Sequence, residues 1–142
     1  SGEATFSVAD DLDGSGVSST GGTGNNLRTV QVRSIQDEVR KHGLNGAFLI
    51  KLDTHGYEVP IIEGCAEIMP QVSCFIIEMY GFEITDRSLL VWEMCQHMLN
   101  HGFRLYDVVD VVNREKDGAF WQCDGFFLRA DHPLFTDKRY AK

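Results

Sequence analysis

The chain has 142 residues, 43% of them apolar, and a formal net charge of -8, which predicts one domain, residues 1–142, with a core of its own. The negative charge and the lack of any Lys/Arg-rich run argue against nucleic acid or an anionic membrane surface as a partner. The sequence has no run of about 20 apolar residues and no export leader at its start, so it predicts a cytoplasmic protein without a membrane span.

The N-terminal segment is largely polar. Thr5–Val8 alternates like a short strand, and residues 9–27 are rich in Gly, Ser, Asp and Asn, which is typical of a flexible loop. A phosphate-binding loop would lead directly into a helix. Here the strand-like segment Arg28–Arg33 follows instead, so we predict a solvated loop that binds no nucleotide.

The next segment predicts a short helix and then a strand. Ser34 is a good helix N-cap and Gly43 a good residue just past a helix end, which predicts a helix over 35–42. The dipeptide Asn45-Gly46 turns the chain into an apolar strand over 47–53. That strand ends in Asp53.

A second helix and strand follow. Pro60 is tolerated in a first helical turn, and the apolar residues after it recur with helical spacing as far as Met69. Gly64 lies inside this predicted helix at a cost of ~1 kcal/mol, which indicates close packing on a sheet. Pro70 ends the helix, and Val72–Tyr80 predicts the next strand.

The C-terminal part predicts a helix and a hairpin. Thr85 or Asp86 can cap a helix whose apolar stripe comprises Val91, Met94, Cys95, Met98 and Leu99. The strands 103–112 and 119–129 are joined by a short polar turn and should pair antiparallel. With the segment 28–33 counted as the first strand, the fold class is α/β, with parallel strands joined by crossover helices and a closing antiparallel hairpin.

Four cysteines are widely and irregularly spaced, without a C-x-x-C pair. Each lies in a mainly apolar neighbourhood, so we predict buried or half-buried thiols and neither metal ligands nor disulfides. They are Cys65, Cys74, Cys95 and Cys123.

The central residues resemble a known family. The run FLIKLDTHGYEV over 48–59, with Ile62-Glu-Gly64, resembles the "KiDxxGxE…vLxGa" signature of FkbM-type methyltransferases. Ile76-Ile77-Glu78 resembles the "iEv" strand that follows it in the family. Residues 30–37 resemble the segment leading into the signature and residues 124–129 the closing strand, so the resemblance covers about 30–129.

This resemblance implies an S-adenosylmethionine-dependent O-methyltransferase with a Rossmann-like sheet. Family members carry, upstream, a strand with a glycine-bearing turn that cradles the cofactor and an acidic residue that holds its ribose. Those N-terminal cofactor-binding strands are missing from this sequence. It therefore resembles the C-terminal part of a class I methyltransferase-like fold, which we expect to bind cofactor weakly or not at all and to be inactive alone.

Three residues are the candidates for catalysis. Methyl transfer to oxygen needs an aligned acceptor and a group that takes the hydroxyl proton. Asp53 is the first choice, as a catalytic and cofactor-binding residue, with helix capping as an equal alternative. His55 is a candidate base or an exposed turn residue. Glu78 must be solvated in a cleft or paired, with Lys51 as one partner.

Three further residues are candidates for binding a small-molecule or sugar acceptor. Glu58 is a candidate to bind the substrate, to orient the turn before the helix, or to interact with the positive end of the helix dipole. Tyr57 and Tyr80 line a substrate pocket or pack on the sheet. The set Asp53, His55 and Glu78 has ligand chemistry for a divalent cation but no diagnostic spacing, so the sequence predicts no metal site.

The sequence is compatible with two functions, a methyltransferase segment and a non-catalytic α/β association module. In either case the strand over 47–53 lacks one neighbour, which leaves backbone groups and apolar faces unpaired. We therefore predict a homo-oligomer that associates through this edge.

Overall fold

The computed structural model of the protein describes residues 2–7, 16–17 and 27–141. They form two compact units, the first comprising the described residues up to Asn45 together with Val59–Met69, and the second Gly46–Glu58 with everything from Pro70 onward. The predicted loop over 9–27 lies outside the described residues except at 16–17 and 27. The assignment of the whole chain to one domain stays a prediction.

The first unit contains a three-stranded antiparallel sheet in the order β2-β1-β3. Its strands are β1 (Gly2–Ser7), β2 (Gly16–Val17) and β3 (Leu27–Val32), and β1 pairs with β3 along its whole length. We expected the segment 28–33 to open the main parallel sheet, and this was wrong. Pairing with β1, which precedes it in the chain, satisfies its backbone groups within the N-terminal segment.

Helix α1 (Ile35–His42) forms as its capping residues predict. The Ser34 side chain accepts a hydrogen bond from the backbone N–H of Asp37 at 3.2 Å. Gly43 takes the left-handed conformation with φ of 59°, and its N–H donates to a carbonyl of the last turn. Both ends of the helix are therefore set by residues visible in the sequence, the first by a side chain and the second by a glycine backbone.

Helix α2 (Glu58–Glu63) is shorter than predicted. At Cys65 and Ala66 the backbone bonds reach back three residues instead of four, beginning with Cys65 N–H to the carbonyl of Ile62 at 3.0 Å. A 3₁₀ turn covers Met69–Gln71. Gly64 favours this ending because it is a poor helix former. A methyl group on Gly64 would meet the carbonyls of Pro60 and Ile61 at 3.3 Å and Ser34 Cβ at 3.4 Å, and packing of Gly64 on a sheet stays a prediction.

The second unit is built on a four-stranded mixed sheet in the order β4-β5-β7-β6. Its strands are β4 (Phe48–Leu52), β5 (Val72–Tyr80), β6 (Phe103–Asn113) and β7 (Phe120–Arg129). The predicted parallel pair is confirmed in β4 and β5, and so is the antiparallel hairpin of β6 and β7. However, β7 inserts between β5 and β6, so the two strands linked by the last helix are not neighbours. β4 is an outer strand of this sheet.

Helix α3 (Val91–Asn100) packs against β5 and β6. The predicted cap at Thr85 or Asp86 was wrong, because Ser88 Oγ instead accepts the N–H groups of Ile84 and Thr85 in a separate turn. Of the predicted apolar stripe, Met94 and Met98 are buried, whereas Leu99 is exposed.

The core of the second unit is aromatic and aliphatic. Phe75 and Phe103 pack edge to face with ring centroids 5.0 Å apart, and both are fully buried with Phe127. All four cysteines are free, two buried and two half-buried, which confirms the predicted burial of their thiols. No described helix has the length and apolar character needed to cross a membrane.

Candidate functional site

The apolar runs before Asp53 and before Glu78 predict that these two carboxylates stand at corresponding carboxyl ends of neighbouring strands, and the structure places both at the same edge of the four-stranded sheet. In the parallel pair of β4 and β5, Leu52 stands opposite Ile77, so Asp53 directly follows the end of β4 beside Glu78 on β5. His55 joins them from the turn after β4. One ligand atom from each of these three residues lies within 4.8 Å of the others, and we call them the Asp53–His55–Glu78 cluster.

A sharp turn presents His55 to the cluster. His55 and Gly56 both have positive φ, 51° and 95°, and His tolerates this region better than most residues. Glu58, only 3% exposed, holds the turn through one oxygen. Its Oε1 accepts the N–H of Thr54 at 3.2 Å, the Thr54 hydroxyl at 2.9 Å and the N–H of Gly56 at 3.2 Å. This geometry supports the turn-orienting role of Glu58; its contact with a substrate stays a prediction.

The His55 ring lies between the two carboxylates. Its Nε2 is 3.8 Å from Asp53 Oδ1, and its Nδ1 is 3.2 Å from the Tyr80 hydroxyl and 3.8 Å from Glu78 Oε2. The side chains of His55 and Asp53 are 41% and 50% exposed, whereas that of Glu78 is 10% exposed. A molecule arriving from solvent therefore reaches Asp53 and His55 first, with Glu78 beneath them.

Glu78 is held by two neutral partners. Gln122 Nε2 donates to its Oε1 at 2.6 Å, and the Tyr80 hydroxyl donates to its Oε2. Burial, with a contribution from the nearby Asp53, raises the pKa of Glu78 above its ordinary value. Burial and then the hydrogen bond to Glu78 raise the pKa of Tyr80 as well, so its phenol stays a donor at neutral pH.

Lys51 does not pair with Glu78, contrary to one alternative from the sequence. Its Nζ lies 3.4 Å from Asp53 Oδ2 and 3.2 Å from Asp124 Oδ2. The hydrogen bond to Asp124 is the largest cause that raises the pKa of Lys51. Lys51 and Asp53 are two residues apart and therefore share a face, which accounts for the contact.

Of the two tyrosines proposed to bind substrate, only Tyr80 joins the cluster. It is 3% exposed and contacts both His55 and Glu78 through its hydroxyl. Tyr57 is half-buried, and among the described residues its side chain has no hydrogen-bond partner. Substrate binding by either residue stays a prediction.

Gln122 and Asp124 also lie at the cluster but are not among the site residues predicted from the sequence. The register of β5 and β7 sets Gln122 opposite Tyr80 and Asp124 opposite Glu78. The predicted hairpin contains both residues, but its pattern does not tell which strand β7 joins on its other side. Polar residues in an otherwise apolar strand, Gln122 and Asp124 in FWQCDGFF, are the signal that marks them.

The cluster offers two kinds of chemistry. Its carboxylates and imidazole can accept a proton from a bound hydroxyl and attract a cationic ligand. One ring nitrogen and two carboxylate oxygens are also ligand types that divalent metal ions accept. Both uses need the three groups to converge, as they do here.

Comparison with known proteins assigns the chain to a family. No curated protein and no solved structure matches it. The model of the methyltransferase FkbM domain matches residues 1–105 of the 142, a stretch that contains β4, the turn with His55, and β5. Because this match covers more than half of the sequence, the chain belongs to the FkbM methyltransferase family.

Proposed function

We propose that this chain forms the acceptor side of an S-adenosylmethionine-dependent O-methyltransferase, which modifies a hydroxyl of a small molecule or sugar. One observation carries the proposal. In a chain of this family, three proton-accepting groups converge at the carboxyl ends of two parallel strands, the edge where open α/β sheets bind their ligands.

The exposure of the cluster residues divides the roles among them. Asp53 and His55, both about half exposed, contact the acceptor hydroxyl, align it and take up its proton. Glu78, nearly buried, positions His55 both directly and through the Tyr80 hydroxyl. Half-buried Tyr57, two residues after His55, is placed to line the acceptor pocket.

The described residues fit one end of the cofactor. S-adenosylmethionine, when bound, supplies a methyl group on a positively charged sulfonium centre. Asp53 and Glu78 suit that charge, and Asp53 is the more exposed of the two. The N–H groups of Thr54 and Gly56 in the turn after β4 are not available to bind the nucleoside end, because both already donate to Glu58.

Because the described residues suit only the sulfonium end of the cofactor, we expect the chain alone to bind S-adenosylmethionine weakly. Isothermal titration calorimetry with S-adenosylmethionine should show no saturable binding below about 1 mM. Tight stoichiometric binding would show that a complete cofactor site exists within the chain. Such binding would overturn the proposal that this chain forms the acceptor side without a complete cofactor site.

The catalytic roles need a test in a protein that holds the cofactor. In a protein that combines this chain with a complete cofactor site, transfer of radiolabelled methyl groups to a panel of sugars and small alcohols should fall at least about 100-fold in His55→Ala.

The matched control is His42→Ala. His42 is also a partly exposed histidine beside a carboxylate, 3.2 Å from Glu38, but it lies on α1 outside the cluster. Its substitution should leave the transfer rate unchanged. Equal rates for His55→Ala and the unmodified protein would rule out a catalytic role for the imidazole.

One observation favours the second candidate function, a non-catalytic association module. β4 is an outer strand of its sheet, and Leu49 on it is 61% exposed. An outer strand with an exposed apolar side chain favours pairing with another strand. We propose a second copy of this chain as the partner of that edge.

A further inference from the structure

We infer that the Asp53–His55–Glu78 cluster is a binding site for a divalent metal ion, with Mn²⁺ as the ion that best suits its mixed ligands. The cluster supplies one imidazole nitrogen and two carboxylate oxygens within 4.8 Å of one another. Imidazole suits the transition metals, and carboxylates suit Mg²⁺, Ca²⁺ and Mn²⁺. Mn²⁺ accepts both kinds of ligand.

The spacing is compatible with a shared ion. Two ligands that each lie about 2.1 Å from one ion are separated by about 3.0 Å when adjacent and by about 4.2 Å when opposite. His55 Nε2 and Asp53 Oδ1 are 3.8 Å apart, which falls between these limits. The three ligand atoms together lie within 4.8 Å of one another, so the side chains would close by up to about 0.6 Å around an ion. Both side chains are about half exposed, so an ion can enter from solvent while Glu78 forms the floor.

A second, independent observation is that groups outside the cluster hold each ligand from behind. Lys51 Nζ lies 3.4 Å from Asp53 Oδ2, and Gln122 Nε2 donates to Glu78 Oε1 at 2.6 Å. The Tyr80 hydroxyl contacts His55 Nδ1 at 3.2 Å, which leaves Nε2 for an ion. Metal ligands characteristically have such outer partners, because these fix the ring and carboxylate orientations.

The charges of the cluster also favour a cation. Glu78 is nearly buried beside the carboxylate of Asp53, and its hydrogen-bond partners Tyr80 and Gln122 are both neutral. Two carboxylates that approach each other in this way repel, and a buried one lacks hydration. A divalent ion between them offsets both effects.

The role of the ion, though not its binding, rests on the proposed function. Three protein ligands leave coordination positions open to an acceptor hydroxyl, and coordination makes a hydroxyl more acidic. With the ion bound, Asp53 and His55 would hold the ion instead of taking up the proton themselves, and the proton of the hydroxyl would pass to solvent. The ion would therefore both align the acceptor and help to remove its proton.

The test is a Mn²⁺ titration of the full chain after treatment with a chelator. Electron paramagnetic resonance of free Mn²⁺ should show one saturable site per chain below about 1 mM. His55→Ala and Asp53→Asn should each weaken binding at least about tenfold. Gln122→Leu, which removes an outer partner without touching the ion, should weaken it by about 10- to 100-fold.

His42→Ala is again the matched control and should leave Mn²⁺ affinity unchanged, with the circular dichroism of every variant checked for folding. No saturable binding, or equal affinity in His55→Ala, would overturn the inference. The titration uses neither cofactor nor acceptor, so its outcome is separate from that of the methyl-transfer assay. Mn²⁺ binding without methyl transfer would support the metal site and count against the proposed function alone.

Discussion

Removal of the Glu58 carboxylate should destabilise the turn that carries His55. In Glu58→Ala, the N–H groups of Thr54 and Gly56 and the Thr54 hydroxyl all lose their acceptor. Hydrogen bonds to a charged group contribute about 1.5–3 kcal/mol each. Since a single oxygen serves all three and Thr54 is half exposed, their contributions overlap, and we expect a loss of about 3 kcal/mol.

Thermal unfolding followed by circular dichroism measures this loss. At about 2–4 °C per kcal/mol for a chain of this size, the midpoint should fall by roughly 6–12 °C. Glu58→Gln is the control, because its amide oxygen can replace Oε1, and its midpoint should fall by less than half as much. A midpoint for Glu58→Ala within about 2 °C of the unmodified protein would refute the idea that this carboxylate holds the turn.

The remaining predictions concern packing, thiol chemistry and association. Gly81→Ala should lower the free energy of unfolding in urea more than Gly125→Ala does. The new methyl would lie 2.5 Å from the rigid carbonyl of Phe120 in the first variant and 2.4 Å from the flexible end of Met79 in the second. The reverse order would contradict this. Burial raises the pKa of Cys65 to about 11, so its thiolate forms only at higher pH, and Ellman's reagent at pH 8 should modify it slowly unless urea is added. Sedimentation equilibrium at micromolar concentration should detect self-association that Leu49→Lys weakens; a monomer at all concentrations would count against the β4 edge.

Local signals in the sequence predict the elements well. The capped helix α1 forms with the bounds that Ser34 and Gly43 indicate, and β5 has its predicted bounds. These signals are less reliable where several residues could begin the same helix. Thr85 resembles a helix cap, yet Ser88 closes a turn there, and α3 begins only after Leu90, whose N–H the Glu93 side chain accepts at 2.9 Å.

Pairing between strands is less accessible to the same reasoning. The segment 28–33 has the composition of a strand, but composition does not name its partner, and β1 takes it. The hairpin of β6 and β7 is likewise visible as two strands and a turn. Its insertion beside β5 depends on side chains packing across the sheet, such as the contact that Gly125 allows to Met79, and a single strand pattern does not contain that information.

The candidate site shows the same division. Asp53 and Glu78 were predicted to meet because the carboxyl ends of parallel strands share an edge, and they do. The partner of Glu78 was not predicted, because Gln122 reaches it only through the insertion of β7. Lys51 was available to Glu78 in the sequence, and the register of β4 and β5 sets both on one face of the sheet. Its Nζ nevertheless pairs with Asp53 and Asp124 instead.

The inserted strand therefore contributes to the chemistry as well as to the sheet. The family model matches residues 1–105, a stretch that supplies the three cluster residues, whereas Gln122 and Asp124 lie beyond it. Gln122 fixes the buried carboxylate, and Asp124 draws Lys51 to the edge where it also contacts Asp53. Substitutions in β7 should therefore change the affinity of the cluster for its ligand while the cluster residues themselves stay intact.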